Sequence, residues 1–257
     1  MLLSSASAIL SLFLAYSPVL ENIDLTGTST ANVTNMRYMF QQSGISNFDF
    51  SQLDTVNARD FGGFLGGASR IKTVDLSSFD KSHSYTGNGG TFYAPNVENL
   101  DLHGLSITNG CEMLSGISNM SSLKSLDMSD MKVDYLPNLS NKPITTVNFS
   151  NTVVTSDSYA SMSSMFEGDT LLTTVNMENL NAPNFTNLDT AFAGTSSLKN
   201  LNANGMKLGK ITSMNNTFAG TGYSGKLDLT GLDVSDLTSM SGIFSGSAIS
   251  EIDMSGW

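Results

Sequence analysis

Cysteine is almost missing from this chain. Cys111 is the only one among 257 residues, so neither an intramolecular disulfide nor a thiolate zinc site can form. A secreted chain without disulfides holds together by its core alone, which fits bacterial surface proteins better than eukaryotic secreted domains. Basic residues are scarce as well: 12 Lys plus Arg stand against 23 Asp plus Glu, for a net charge of −11. That excludes the basic footprint a nucleic-acid binder needs and disfavours docking on an anionic membrane. Charged residues total 14%, against roughly 25% in an average domain. Ser, Thr and Asn carry the polarity instead, a mix that suits an extracellular surface. No run reaches the roughly 20 apolar residues of a membrane-spanning helix. Residues 9–16, ILSLFLAY, have the look of a signal-peptide core, yet no Lys or Arg precedes Arg37 to give the positive flank. Whether residues 1–17 belong to the folded array or form a signal-like segment stays open on this ground.

What the chain does have is one pattern, repeated ten times. It reads apolar–x–x–apolar–Asp/Asn–apolar, as in IKTVDLSSF (71–79), LKSLDMSDM (123–131), LTTVNMENL (172–180) and ISEIDMSGW (249–257). The acidic or amide position falls at Asp24, Asp49, Asp75, Asp101, Asp127, Asn148, Asn176, Asn202, Asp228 and Asp253, at intervals of 21 to 28 residues. A second element, apolar–x–x–apolar–Phe, precedes most copies, as in MRYMF (36–40), MSSMF (162–166) and MNNTF (214–218).

The two elements have different periods. Residues two apart, such as Leu126 and Met128, share a strand face while Asp127 takes the other. Apolar residues at i, i+3 and i+4, such as Met162, Met165 and Phe166, read as one face of a helical turn. One coil cannot bury these residues alone, and stacked coils bury them as continuous columns. The expected fold is therefore a single repeat solenoid over 1–257. It is leucine-rich-repeat-like, with a parallel β-sheet on one face, short helical or 3-10 turns on the other, and about ten coils. The methionines read as packing in these columns. Cys111 stands in a Met slot and reads as a buried, inert thiol.

The segments ANVTNMRYMF (31–40), SSLKSLDMSDM (121–131) and LDVSDLTSMSGIF (232–244) give the chain a family likeness. It resembles the BspA-type leucine-rich repeat surface proteins, with the roughly 25-residue repeat of mycoplasma lipoproteins and lactobacillus surface proteins. That resemblance spans nearly the whole chain. It implies extracellular display at the cell surface or cell wall, a role in adhesion or host interaction, and no catalytic residues. Trp257 fills the last apolar slot without a polar cap, so the chain is expected to be a fragment of a longer surface protein. Segment 80–93 departs from the pattern, replacing the Met–x–x–Met–Phe element with Gly-rich sequence.

Two binding candidates follow. The outward strand face carries the Asp/Asn ladder, including Asp49, Asp75, Asp101 and Asp127, with His103 beside it. Directly opposed carboxylates repel, so neighbouring hydroxyls, backbone groups or cations must compensate. Calcium is one candidate cation, although a flat row supplies few of its six to eight oxygen ligands. The irregular 80–93 segment adds His83, Tyr85 and Tyr93, aromatics suited to carbohydrate or protein contact. The expected partners are a host surface protein, mucin or glycan. Catalysis is not expected: there are two histidines, and no nucleophile elbow, phosphate loop or zinc-protease motif. A structural spacer and a polysaccharide-active β-solenoid enzyme are the alternatives. The latter would need a base beside its acids, and Lys226 is the only one in the outward columns.

Overall fold

A computed structural model describes residues 8–108, 112–156 and 161–257. Cys111 lies outside the described residues, as does the start of the 1–17 segment. The chain falls into two compact units, Met1–Leu123 and Lys124–Trp257. Each is a stretch of parallel β-solenoid.

In the second unit, Ser125–Asp127, Thr146–Asn148, Thr174–Asn176 and Asn200–Asn202 pair in register, all parallel. Lys226–Asp228 and Glu251–Asp253 form a separate parallel pair. In the first unit Thr73–Asp75 pairs with Asn99–Asp101. In most strands the middle residue points inward, and Val74, Leu100, Leu126, Val147, Val175 and Leu227 are all buried, while Leu201 is half-buried and Ile252 exposed. The flanking residues stay at least partly open. This is the alternation the sequence pattern predicts. A shorter ladder, Lys132–Val133, Val153–Val154, Asn181–Ala182 and Lys207–Leu208, follows one turn later in the second unit.

The expectation of ten coils is corrected. Three-residue strands form at eight of the ten Asp/Asn positions, and eight strands bound about seven turns. Asp24 lies in no strand, and Asp49 caps a 3-10 turn, Phe50–Gln52. The cause is aromatic packing. Phe48 and Phe50 are both buried with Phe40, at ring separations of 5.0 and 5.7 Å. Turning the chain inward for Phe50 takes its backbone out of the ladder, and the Gln52 side chain accepts the Leu25 N–H in its place.

The Met–x–x–Met–Phe element is corrected too. It is not helical. Among the described residues helix occurs only as two 3-10 segments, Phe50–Gln52 and Glu112–Asn119. The element is instead a pair of tandem turns. The Met165 N–H reaches back to Met162 O and the Asp169 N–H to Phe166 O. Ser164 and Gly168, third in each turn, have φ of 56° and 74°, the left-handed region that type II turns require. Alternate N–H groups leave the coil: Met162, Ser164, Phe166 and Gly168 donate to Asn187, Asp189, Ala191 and Ala193 of the next coil. Residues 188–195 and 214–220 repeat the scheme. The three-residue spacing of apolar residues thus comes from turns whose backbone forms a second inter-coil ladder.

The first unit does the same near its start. Leu10, Leu12, Leu14 and Tyr16 donate to Asn35, Arg37, Met39 and Gln41, which places 8–16 in the array. The core then follows from stacking. Phe166, Phe192, Phe218 and Phe244 form a column with ring centroids 5.2, 5.3 and 5.9 Å apart. In the first unit Phe40, Phe50, Phe61, Phe64 and Phe79 build an edge-to-face cluster instead.

Candidate functional site

The outward strand face is governed by one local device. At all ten repeat positions the Asp or Asn side-chain oxygen accepts the backbone N–H two residues on, at 2.8–3.2 Å. This is an Asx-turn, which ends the strand and starts the return. Where the second residue is Ser or Thr its hydroxyl often adds a bond, as Ser129 Oγ does to Asp127 Oδ1 at 2.6 Å and Thr230 Oγ1 to Asp228 Oδ1 at 2.7 Å. These donors hold Asp24, Asp49, Asp228 and Asp253 below the usual carboxylate range. One oxygen of each side chain is therefore already engaged. Ser129 itself is buried.

The expected repulsion is relieved between coils as well as within them. Asn148 Nδ2 donates to Asp127 Oδ2 at 3.1 Å, and Asn202 Nδ2 reaches Glu178 Oε2 at 3.3 Å. Asp228 and Asp253 are directly opposed, and Lys226 Nζ lies 3.3 Å from Asp253 Oδ2 and 3.5 Å from Glu251 Oε1. Hydroxyl and amide pairs continue the row beside them, as Thr146 Oγ1 to Ser125 Oγ and Asn200 Nδ2 to Thr174 Oγ1.

In the first unit the departure of residues 50–52 from the ladder opens a recess on this face. It holds about 200 Å³ and is lined by Asn47, Asp49, Ser51, Thr73, Asp75 and Ser77, with Phe48 and Phe50 behind them. Carboxylate, hydroxyl and amide groups thus line a concave surface. The predicted residues Asp49 and Asp75 meet here. Asp101 lies on the adjoining strand, in register with Asp75, and His103 donates its backbone N–H to Asp101. Asp127 sits in the second unit's ladder.

The 80–93 trio does not form one surface. Tyr85 is 1% exposed, packs against Phe61 at 5.2 Å, and its hydroxyl donates to Asp80 O. Burial pushes its phenol up to about 12. It is a core residue, not a contact aromatic. His83 is nearly closed off: Nδ1 lies 3.0 Å from Asp80 Oδ1, and Nε2 is 2.9 Å from Ala58 O and 2.8 Å from Arg59 Nη1. The Asp80 contact is close without hydrogen-bond alignment. Tyr93 alone is open, at 46%. The reason is that 84–86 joins the inter-coil ladder through bridges from Ser84 to Ser106 and Asp60 to Thr86, which turns Tyr85 inward.

Two features escaped the sequence reading. A second set of Asx-type bonds opens the tandem turns, from Asn35, Asp60 and Asn187 to the N–H groups of Arg37, Gly62 and Asp189. Its signal was the polar residue directly before each apolar–x–x–apolar run. Asp169 is the other. It is fully buried, its Oδ1 accepts the Lys142 N–H at 2.7 Å, its Oδ2 has no partner, and burial pushes its carboxyl up to about 7. Thr195 and Thr221 hold the same slot in later coils, hydroxyl to hydroxyl at 3.1 Å. Among the described residues no group of three His, Cys, Asp or Glu side chains is placed to hold a metal ion.

A model of the family described as "Mycoplasma protein of unknown function, DUF285" matches residues 9–130 and again 126–257. Each match falls nearly on one compact unit. No curated protein matches the chain. A crystal structure of an internalin from Listeria monocytogenes is similar at 15% identity over 92% of this chain and 78% of that one, with a TM-score of 0.35. At that score the likeness supports no conclusion.

Proposed function

The chain belongs to the DUF285 family of Mycoplasma proteins of unknown function, and on that premise we propose that it is a non-catalytic binding module displayed outside a bacterial cell. Its partner is a host surface protein, mucin or glycan, and the family relation is of the BspA type. The observation that carries this reading is the recess at Asp49 and Asp75. It offers several oxygen and nitrogen groups on one concave surface, the chemistry that hydroxyl-rich sugars and polar peptide loops meet well. The surrounding ladder is broad, polar and held rigid by its Asx-turns, so little order is lost on binding. The polar composition, low in charge, supports the extracellular placement.

The non-catalytic reading rests on how the titratable groups are engaged. Ladder carboxylates close turns, and His83 is held between Asp80, Ala58 O and Arg59. Lys226 pairs with Glu251 and Asp253. One observation favours a second reading, a structural spacer: a ladder that satisfies its own polar atoms needs no ligand.

An array of glycans, mucins and host surface proteins, probed with the full chain, separates the two. The binding reading expects a saturable partner, lost in a Thr73→Arg/Ser77→Arg double variant whose circular dichroism matches the parent. Binding that survives those changes overturns the recess as the site. Silence across the array favours the spacer.

A further inference from the structure

The residue after the repeat Asp or Asn is large and apolar in nine copies: Leu25, Phe50, Leu76, Leu102, Met128, Phe149, Met177, Leu229 and Met254. In the tenth it is Ala203. Neighbouring side chains do not close the space left over. A cavity of about 170 Å³ opens in the second unit beside Ala203, walled by Met177, Met206, Met214, Phe218, Leu229 and Leu232. Strand pairing lapses at the same place. Asn200–Asn202 pairs back to Thr174–Asn176, and Lys226–Asp228 pairs on to Glu251–Asp253, with no ladder joining the two. Leu201 is half-buried, unlike its counterparts Val147 and Val175, and Asn204, Gly205 and Thr230 at the rim are exposed. The cavity therefore has an opening to solvent.

We propose that this cavity is a binding site for a small, uncharged, apolar molecule of about one-ring size. Three points carry it. The volume is close to that of apolar cavities, about 150 Å³, that stay dry and admit benzene, and below the roughly 300 Å³ of drug-sized pockets. The walls are mostly thioether, aliphatic and aromatic carbon, with Asn204, Thr217, Asp228 and Thr230 also among the lining residues, and methionines re-shape around a guest at little cost. None of the buried side-chain polar atoms left without a partner (Ser43 Oγ, His83 Nδ1, Asp169 Oδ2) lines the space. The site is independent of the recess in the first unit.

Benzene is the probe, followed by methyl NMR of the full chain labelled at methionine. Titration is expected to shift the Met206 and Met214 methyls saturably and to leave Met36 and Met39, in the first unit, unmoved. Ala203→Met restores the side chain found in the preceding copy, Met177, and should abolish the shift while raising the melting temperature. Ala203→Leu, the residue type of three first-unit copies and of Leu229 in the next coil, should do the same and covers the case in which the Met variant misfolds. Benzene that moves no cavity methyl in the parent overturns the proposal and leaves a packing void. So does an equal shift in a folded variant with the cavity filled.

Discussion

Replacing Asp169 by Thr should make the protein more stable above pH 7 and change its stability little near pH 4. Asp169 is fully buried, with one oxygen accepting the Lys142 N–H and the other unpartnered, so desolvation raises its carboxyl from 3.8 to about 7. A carboxyl whose folded value lies above its unfolded value stabilises fully below the unfolded value. That stability is lost as pH rises from about 4 to about 7, because the unfolded chain ionises first. About 3 units at 1.36 kcal/mol each give a loss of about 4 kcal/mol over that window. Thr is the natural replacement because Thr195, in the same slot, donates to Phe192 O and Thr221. At 169 its hydroxyl can accept the Lys142 N–H and donate to Phe166 O. Urea unfolding of both proteins at pH 4, 5, 6, 7 and 8 reads the effect directly. The variant's advantage should grow by about 4 kcal/mol between pH 4 and pH 8. A difference that stays flat across that range would refute the buried-carboxylate reasoning.

Three further outcomes follow from the same geometry. Phe192→Ala removes a ring stacked 5.2 and 5.3 Å from its neighbours, and the denaturant midpoint should report a loss of about 3–5 kcal/mol. Asp127→Asn keeps the acceptor that closes the turn to Ser129 and should be nearly neutral, while Asp127→Ala should cost about 1–2 kcal/mol. Equal effects would show that charge, not the Asx bond, matters there. Gly222→Ala would set a Cβ 2.0 Å from Ser196 O, so backbone must move at a cost of about 1–3 kcal/mol. Gly246→Ala meets nothing within 4 Å and pays only its positive φ, so thermal melts should rank it the milder of the two.

The strand register was legible because one period-2 pattern returned with an Asp or Asn at its centre. Apolar pairs such as Leu126 and Met128 went to the core and Asp127 to the outside, as that period requires. The turn element was misread because spacing of i and i+3 is shared by helices and by type II turns. The sign that separates them was in the sequence: Gly168, Gly194 and Gly220 recur where a helix would not want them, at positions whose φ is positive. The lost strand at Asp49 could not be read from its own repeat, which is regular. It depends on Phe48, Phe50 and Phe40 competing for one interior. Tyr85 was placed on a surface loop because its Gly-rich neighbours hide the ladder position that turns it inward. The Ala203 cavity and the Asp169 slot were both visible by aligning repeats against one another, a comparison of side-chain volume and polarity at equivalent positions.

The binding surface and the cavity alike require that residues about 26 apart in sequence lie directly over one another. Ring-to-ring nuclear Overhauser contacts in protein labelled only at phenylalanine test this in the simplest way. Phe192 should show contacts to both Phe166 and Phe218, which sit 5.2 and 5.3 Å from it, and all three should resist solvent saturation transfer. A Phe192 ring that contacts neither, or that exchanges magnetisation freely with water, would contradict the stacked-coil account.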